Sequence, residues 1–142
     1  DRRAKNQITV NMKTVSLKLA IKLKEAGFPQ KSEFYYIDDG YKYKYQLNVT
    51  GFAALSKEMR DRVVFAPTAE EILDELPDSI EKVGHFYNLV IVKIQGSIFG
   101  MGYETDFPDR DENKALIKLG TRTLAEAAGK MYLYLQKEGL LK

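Results

Sequence analysis

His85 is the single histidine of the chain, and there is no cysteine. A Ser–His–Asp relay would need that imidazole in a pocket, whereas Gly84-His85 reads as a turn, and turns are normally surface elements. Composition alone excludes a site with two histidine ligands, a thiolate zinc site, an iron–sulfur cluster, a disulfide framework and a cysteine nucleophile. Asp109, Asp111 and Asn113 have the opening spacing of a calcium loop. Lys114 then stands where the turn needs glycine, and Gly120 where a bidentate glutamate belongs. A solvated acidic loop explains these residues better.

Gly100 and Gly102 lack the third glycine of a dinucleotide fingerprint, because Thr105 stands there. No lysine near them could complete a phosphate-binding loop, so a packing role is expected. Paired carboxylates do acid–base work when held on facing elements with separated pKa values. Asp38-Asp39 and Glu70-Glu71 are the candidate pairs. Turn chemistry accounts for the first, and the positive end of a helix dipole for the second. A small carboxylate hydrolase or transferase therefore ranks last.

The stretch Tyr41 to Val49 alternates, with Tyr41, Tyr43, Tyr45, Leu47 and Val49 on one side and Lys42, Lys44, Gln46 and Asn48 on the other. Side chains of a strand point to opposite faces with period two, so this reads as a half-buried strand. Its tyrosines would cover a core while its lysines solubilise the outer face. Aromatic side chains flanked by lysines can also stack unpaired bases while the amines meet phosphates. The alternation separates the two residue types onto opposite faces, which weighs against that use.

Three helices carry their own punctuation. Ser16 is an N-cap for the run Leu17, Ala20, Ile21 and Leu23 or Lys24, which Gly27 stops with Pro29 beyond it. Thr68 and Glu71 form a capping box ahead of Ile72, Leu73 and Leu76, with Pro77 ending the segment. Thr123 and Glu126 form a second box, opening a helix whose stripe is Leu124, Ala127, Ala128, Met131 and Leu135 and which Gly139 closes. Phe34 to Ile37 is expected as a strand entering an Asp38-Asp39-Gly40 hairpin turn. Residues 51–64 read as a short helix or ordered loop, on the spacing of Phe52, Leu55 and Met59. Ser79–Val83 reads as an edge strand. Phe86–Gln95, with its run Leu89–Val92, reads as a central strand covered on both faces, and Ile98–Thr105 returns antiparallel past Gly96-Ser97. Ile8–Val10 could add a short strand.

Adjacent strands with short turns, rather than strict βαβ alternation, predict an α+β fold. The expectation is an antiparallel sheet of about four to five strands, with about three helices packed mainly on one face. The 142 residues fit one domain, taken as 12–142 because Met12 reads like a native start, with 1–11 an N-terminal extension. The 22 basic residues nearly cancel the 20 acidic ones, so no long-range field draws the chain to nucleic acid or anionic lipid. Apolar runs such as Leu89–Val92 fall far short of the roughly 20 residues that span a bilayer. No apolar stretch follows the charged residues 1–5, so a secretory signal is not expected. With no cysteine to oxidise, a cytoplasmic location fits.

Three stretches carry a resemblance: Ser16 to Gln30, Ala66 to Pro77, and Leu124 to Leu141 with its Met131-Tyr132-Leu133-Tyr134-Leu135 core. In that order they resemble a group of small uncharacterised bacteriophage, prophage and mobile-element proteins. The resemblance implies a bacterial host cytoplasm and brings no activity and no functional residues. The expectation for function is a non-catalytic interaction module, with no cofactor, no metal and no membrane, acting on a protein partner or by self-association. The abundance of tyrosine, a residue enriched at interfaces, marks Tyr41, Lys42, Tyr43, Lys44, Tyr45, Tyr132 and Tyr134 as the candidate surface. Binding of single-stranded nucleic acid through the Tyr41–Tyr45 strand is the alternative.

Overall fold

The computed structural model describes residues 13–38, 40–47, 55–94, 98–105 and 115–141. They form an α+β fold with antiparallel sheets. The elements are α1 (Leu17–Glu25), β1 (Phe34–Asp38), β2 (Tyr43–Leu47), α2 (Lys57–Arg60), β3 (Val63–Phe65) and α3 (Ala69–Leu73), then β4 (Ser79–Lys82), β5 (His85–Ile94), β6 (Ile98–Thr105), β7 (Ala115–Thr121) and α4 (Leu124–Lys137). The strands divide between two sheets instead of one: a three-stranded sheet of order β2-β1-β3 and a four-stranded meander β4-β5-β6-β7.

The reason for the division lies in β1, which is buried on both faces. Tyr36 pairs with Val64 and turns into the main core, together with Val15, Leu19 and Leu23 from the α1 side. Tyr35 and Ile37 pair with Phe65 and Val63 and form a second, smaller cluster with Leu55. A strand buried twice needs apolar residues at consecutive positions, and Phe34–Ile37 and Val63–Phe65 supply them. Of residues 51–64, expected as a short helix or ordered loop, Lys57–Arg60 form the one-turn α2, which excludes Leu55 and buries none of its side chains, whereas the strand β3 beside it departs from that expectation. The meander turns Ile80, Tyr87, Leu89, Met101, Tyr103 and Leu119 toward α4, so one continuous core joins the two sheets through the helices.

Helix boundaries follow their caps. The Ser16 hydroxyl accepts from the Leu19 amide, and Gly27 takes φ +88°, a conformation that only glycine adopts freely. The Thr68–Glu71 box is complete, and the Glu71 carboxylate also accepts from the Ser32 hydroxyl at 2.8 Å. At Thr123 only half of the expected box forms. The Thr123 hydroxyl accepts from the Glu126 amide, but the Glu126 carboxylate reaches across to the Ser16 amide at 2.6 Å. This charge-assisted bond ties α4 to the start of α1 across the core.

The tyrosine surplus is spent mostly inside. Tyr35, Tyr36, Tyr87, Tyr103 and Tyr132 are five of the nine tyrosines, and all five are buried, so abundance alone does not argue for an interface. Two of the hydroxyls find backbone acceptors: Tyr36 donates to Val15 O at 3.2 Å and Tyr103 to Pro77 O at 2.7 Å.

Candidate interaction surface

The sequence-derived surface does not hold together as one patch. Tyr132 belongs to the core, 9% exposed and edge-on to Phe28 with ring centroids 4.8 Å apart. The buried face of α4 is wider than a single stripe, running through Ala125, Ala127–Gly129, Met131, Tyr132 and Leu135. Burial, with the Glu75 carboxylate nearby, raises the Tyr132 pKa above its ordinary value of 10.0. Tyr134 is half-buried against the same core.

At the hairpin, strand pairing begins at Asp38↔Tyr43, so Tyr41 and Lys42 lie in the connecting loop and not on alternating strand faces. Gly40 takes φ +96° there, and its amide donates to the Asp38 carboxylate at 2.9 Å. Tyr41 is 98% exposed, Lys42 is exposed, and Tyr43 is at the margin. Lys44 and Tyr45 occupy β2 opposite Ile37 and Tyr36; their side chains lie outside the described residues.

The catalytic candidates scatter. Glu71 is committed to its cap and to Ser32, Glu70 is exposed, and Asp38 serves its turn. Asp39 and the acidic stretch with Asp109, Asp111 and Asn113 lie outside the described residues, as does Ile8–Val10. His85 is exposed and opens β5, one residue beyond the turn. Among the described residues no group of three His, Cys, Asp or Glu side chains is placed to hold a metal ion. No helix among them is long and apolar enough to cross a membrane.

A different surface emerges at the β4 end of the meander. A groove of about 750 Å³ runs between the end of α3, the strand β4, the β4–β5 turn and the chain leaving α4. Leu76, Pro77, Ile80, Leu140 and Leu141 provide apolar lining, while Asp74, Glu75 and Glu81 add carboxylates. Val83 and Phe86 stand at the rim, 88% and 59% exposed.

The turn itself is strained. Lys82 pairs with His85, so the hairpin has a two-residue loop, with Val83 at φ +52° and Gly84 at φ +76°. Two consecutive positive φ values define the I′ kind of turn, which asparagine and glycine favour. A β-branched residue in the left-handed region costs roughly 1–2 kcal/mol. Val83 bears that cost while holding its isopropyl group in water. Strain and exposure at one residue, on the lip of a groove, fit a site whose contacts lie outside the chain.

The groove as a whole is not visible along the sequence, since its walls come from three separate segments. The arrangement defines an α+β fold with two antiparallel sheets and, at one sheet edge, a groove lined by both apolar and acidic residues. No protein-family model, curated protein or solved structure matches the chain.

Proposed function

We propose that the domain is a non-catalytic protein-interaction module that engages its partner at the β4–β5 end of the meander. The observation that carries this reading is the pair Val83 and Phe86, exposed together on the lip of the groove. Large exposed apolar side chains beside a groove of mixed apolar and acidic lining combine the apolar contact and the charged rim of an interface. The three sequence stretches that resemble phage, prophage and mobile-element proteins support a setting in a bacterial host cytoplasm.

Selection from a random peptide library on the immobilised domain tests the reading, with Val83→Asn as the discriminating variant. Asparagine relieves the turn, so the variant should be more stable by about 1 kcal/mol in chemical unfolding. It should nevertheless bind the selected peptides several-fold more weakly, a loss that unfolding cannot explain. A selection that enriches nothing, or peptides indifferent to Val83→Asn, would overturn the proposal.

A second reading is favoured by Tyr41 and Lys42. Both project from one loop, which removes the face separation that weighs against combined stacking and phosphate contact. Under this reading the tip stacks an unpaired base on Tyr41 while Lys42 meets phosphate. Fluorescence anisotropy with labelled single-stranded oligonucleotides should then show binding that weakens steeply with salt. Tyr41→Ala should lose roughly tenfold in affinity, since one stacked base is worth about 1–3 kcal/mol. Absence of binding at low salt ends this reading.

A further inference from the structure

The geometry points to strand addition: the free edge of β4 takes up an extended, lysine- or arginine-bearing segment of a partner protein as a fifth strand of the meander. This inference rests on the protein-binding reading above and specifies what binds and how. β4 stands at the end of its sheet, paired only with β5 among the described residues. Lys82 and His85 close the hairpin, and at the other end the Leu89 amide donates to Asp78 O at 2.9 Å. Hydrogen-bonded and non-bonded pairs alternate along an antiparallel ladder. Ile80 is therefore the intervening residue bonded to β5, while Ser79 and Glu81 turn their N–H and C=O groups away from it. Among the described residues, neither backbone is bonded to any other main-chain group outside the strand. Both residues line the groove.

Two outward donors and two outward acceptors along the groove form a template for an extended chain. The period of two then sets the chemistry of the guest. A guest residue opposite Glu81 projects on the side of Glu81 and Phe86, which are themselves cross-strand partners. A cation there pairs with the Glu81 carboxylate while its aliphatic stem covers Phe86. The next guest residue projects toward Ile80, Leu76 and Leu140, where an apolar side chain fits. Asp74 and Glu75 extend the negative charge at the α3 end of the groove. The complementary segment alternates basic and apolar residues. A second copy of β4 would bring its own Glu81 and neighbouring carboxylates against these, like charge on like, which disfavours self-pairing.

Fluorescence anisotropy with a labelled synthetic peptide of alternating lysine and valine tests the inference on the full chain. The peptide should bind, and more weakly as salt screens the carboxylates. Counterparts with glutamate for lysine, or with the lysine main-chain amides N-methylated to remove the donors that face β4, should not bind. Glu81→Lys should weaken binding roughly tenfold. Ser79→Pro should do likewise, because it deletes an outward donor and leaves the ladder to β5 intact. Equal binding of the glutamate peptide, or lysine–valine binding indifferent to both variants, would overturn strand addition. So would a concentration-dependent dimer abolished by Glu81→Lys, which would make a second copy the occupant. If the lysine–valine peptide fails while the library yields binders that depend on Val83, the inference falls and the protein-binding reading stands. If both fail, both fall.

Discussion

Gly129→Leu is expected to cost the domain about 3 kcal/mol, seen as a drop of roughly 10 °C in the thermal midpoint. Gly129 lies within α4 where α1 crosses it. A Cβ at this position would meet Leu19 Cδ2 at 2.7 Å, Leu19 Cγ at 3.2 Å and Val15 Cγ1 at 3.3 Å. Leu19 is 5% exposed and Val15 fully buried, so neither has room to withdraw. Leucine is a good helix former, so propensity cannot be the source of the loss. Gly129→Ala is the control: helix propensity contributes about 0.8–1 kcal/mol in its favour, and displacement of Leu19 offsets it, for a net change near zero. Denaturant unfolding of the two variants measures both numbers. A leucine variant as stable as the parent would mean that α1 is not seated on α4.

Tyr103 gives the second large effect, and it carries a pH signature. Its ring is fully buried, and its hydroxyl donates to Pro77 O at 2.7 Å. Tyr103→Phe leaves that carbonyl without its donor, at an expected cost of about 1–3 kcal/mol. Burial, and then the Asp78 carboxylate, hold the phenol well above its ordinary pKa of 10.0. Tyr132 is raised too, by burial and then by Glu75. A group whose pKa is higher folded than unfolded supplies stability that is complete below the unfolded value. That stability drains as pH climbs toward the folded value. Unfolding free energy should therefore fall as pH rises past about 10, by up to about 1.4 kcal/mol per pH unit from Tyr103, with Tyr132 acting in the same direction. The slope should be shallower in Tyr103→Phe. An unchanged slope would contradict the burial of this phenol. Because Pro77 lines the groove, the same variant should also loosen one wall of the proposed binding surface.

Local chemistry is legible in the residues and long-range pairing is not. Ser16, Thr68 and Thr123 cap the helices they are expected to cap, and Gly27 ends the first, since each cap is decided within one turn. The hairpin between β1 and β2 is legible from its turn residues and flanking strand formers, although a longer loop moves Tyr41 and Lys42 off the strand. β3 escapes a reading of the sequence because three apolar residues carry no period of their own. What makes Val63–Phe65 a strand is its pairing with Tyr35–Ile37, which is far away in sequence. β7 escapes it as well; its identity rests on pairing with β6, including Gly100 opposite Gly120.

Burial by partner, rather than by pattern, explains the other departures. Tyr132 lies beside the stripe read from the helical period, yet Phe28, just beyond the end of α1, covers it. Glu126 has a local partner within reach in its own capping box, but its carboxylate accepts from the Ser16 amide, 110 residues away in sequence. The groove combines Leu76-Pro77, Ser79–Phe86 and Gly139–Leu141, and no window along the chain contains all three. Only Val83-Gly84 leaves a local trace there, as a valine standing where a tight hairpin prefers asparagine.

Amide hydrogen exchange read residue by residue, with and without the lysine–valine peptide, is the most direct test of the binding account. Exchange at Ser79 and Glu81 should be fast in the free domain, because their amides face the groove, and should slow many-fold when the peptide is bound. Bound peptide with those two amides exchanging as freely as before would contradict it.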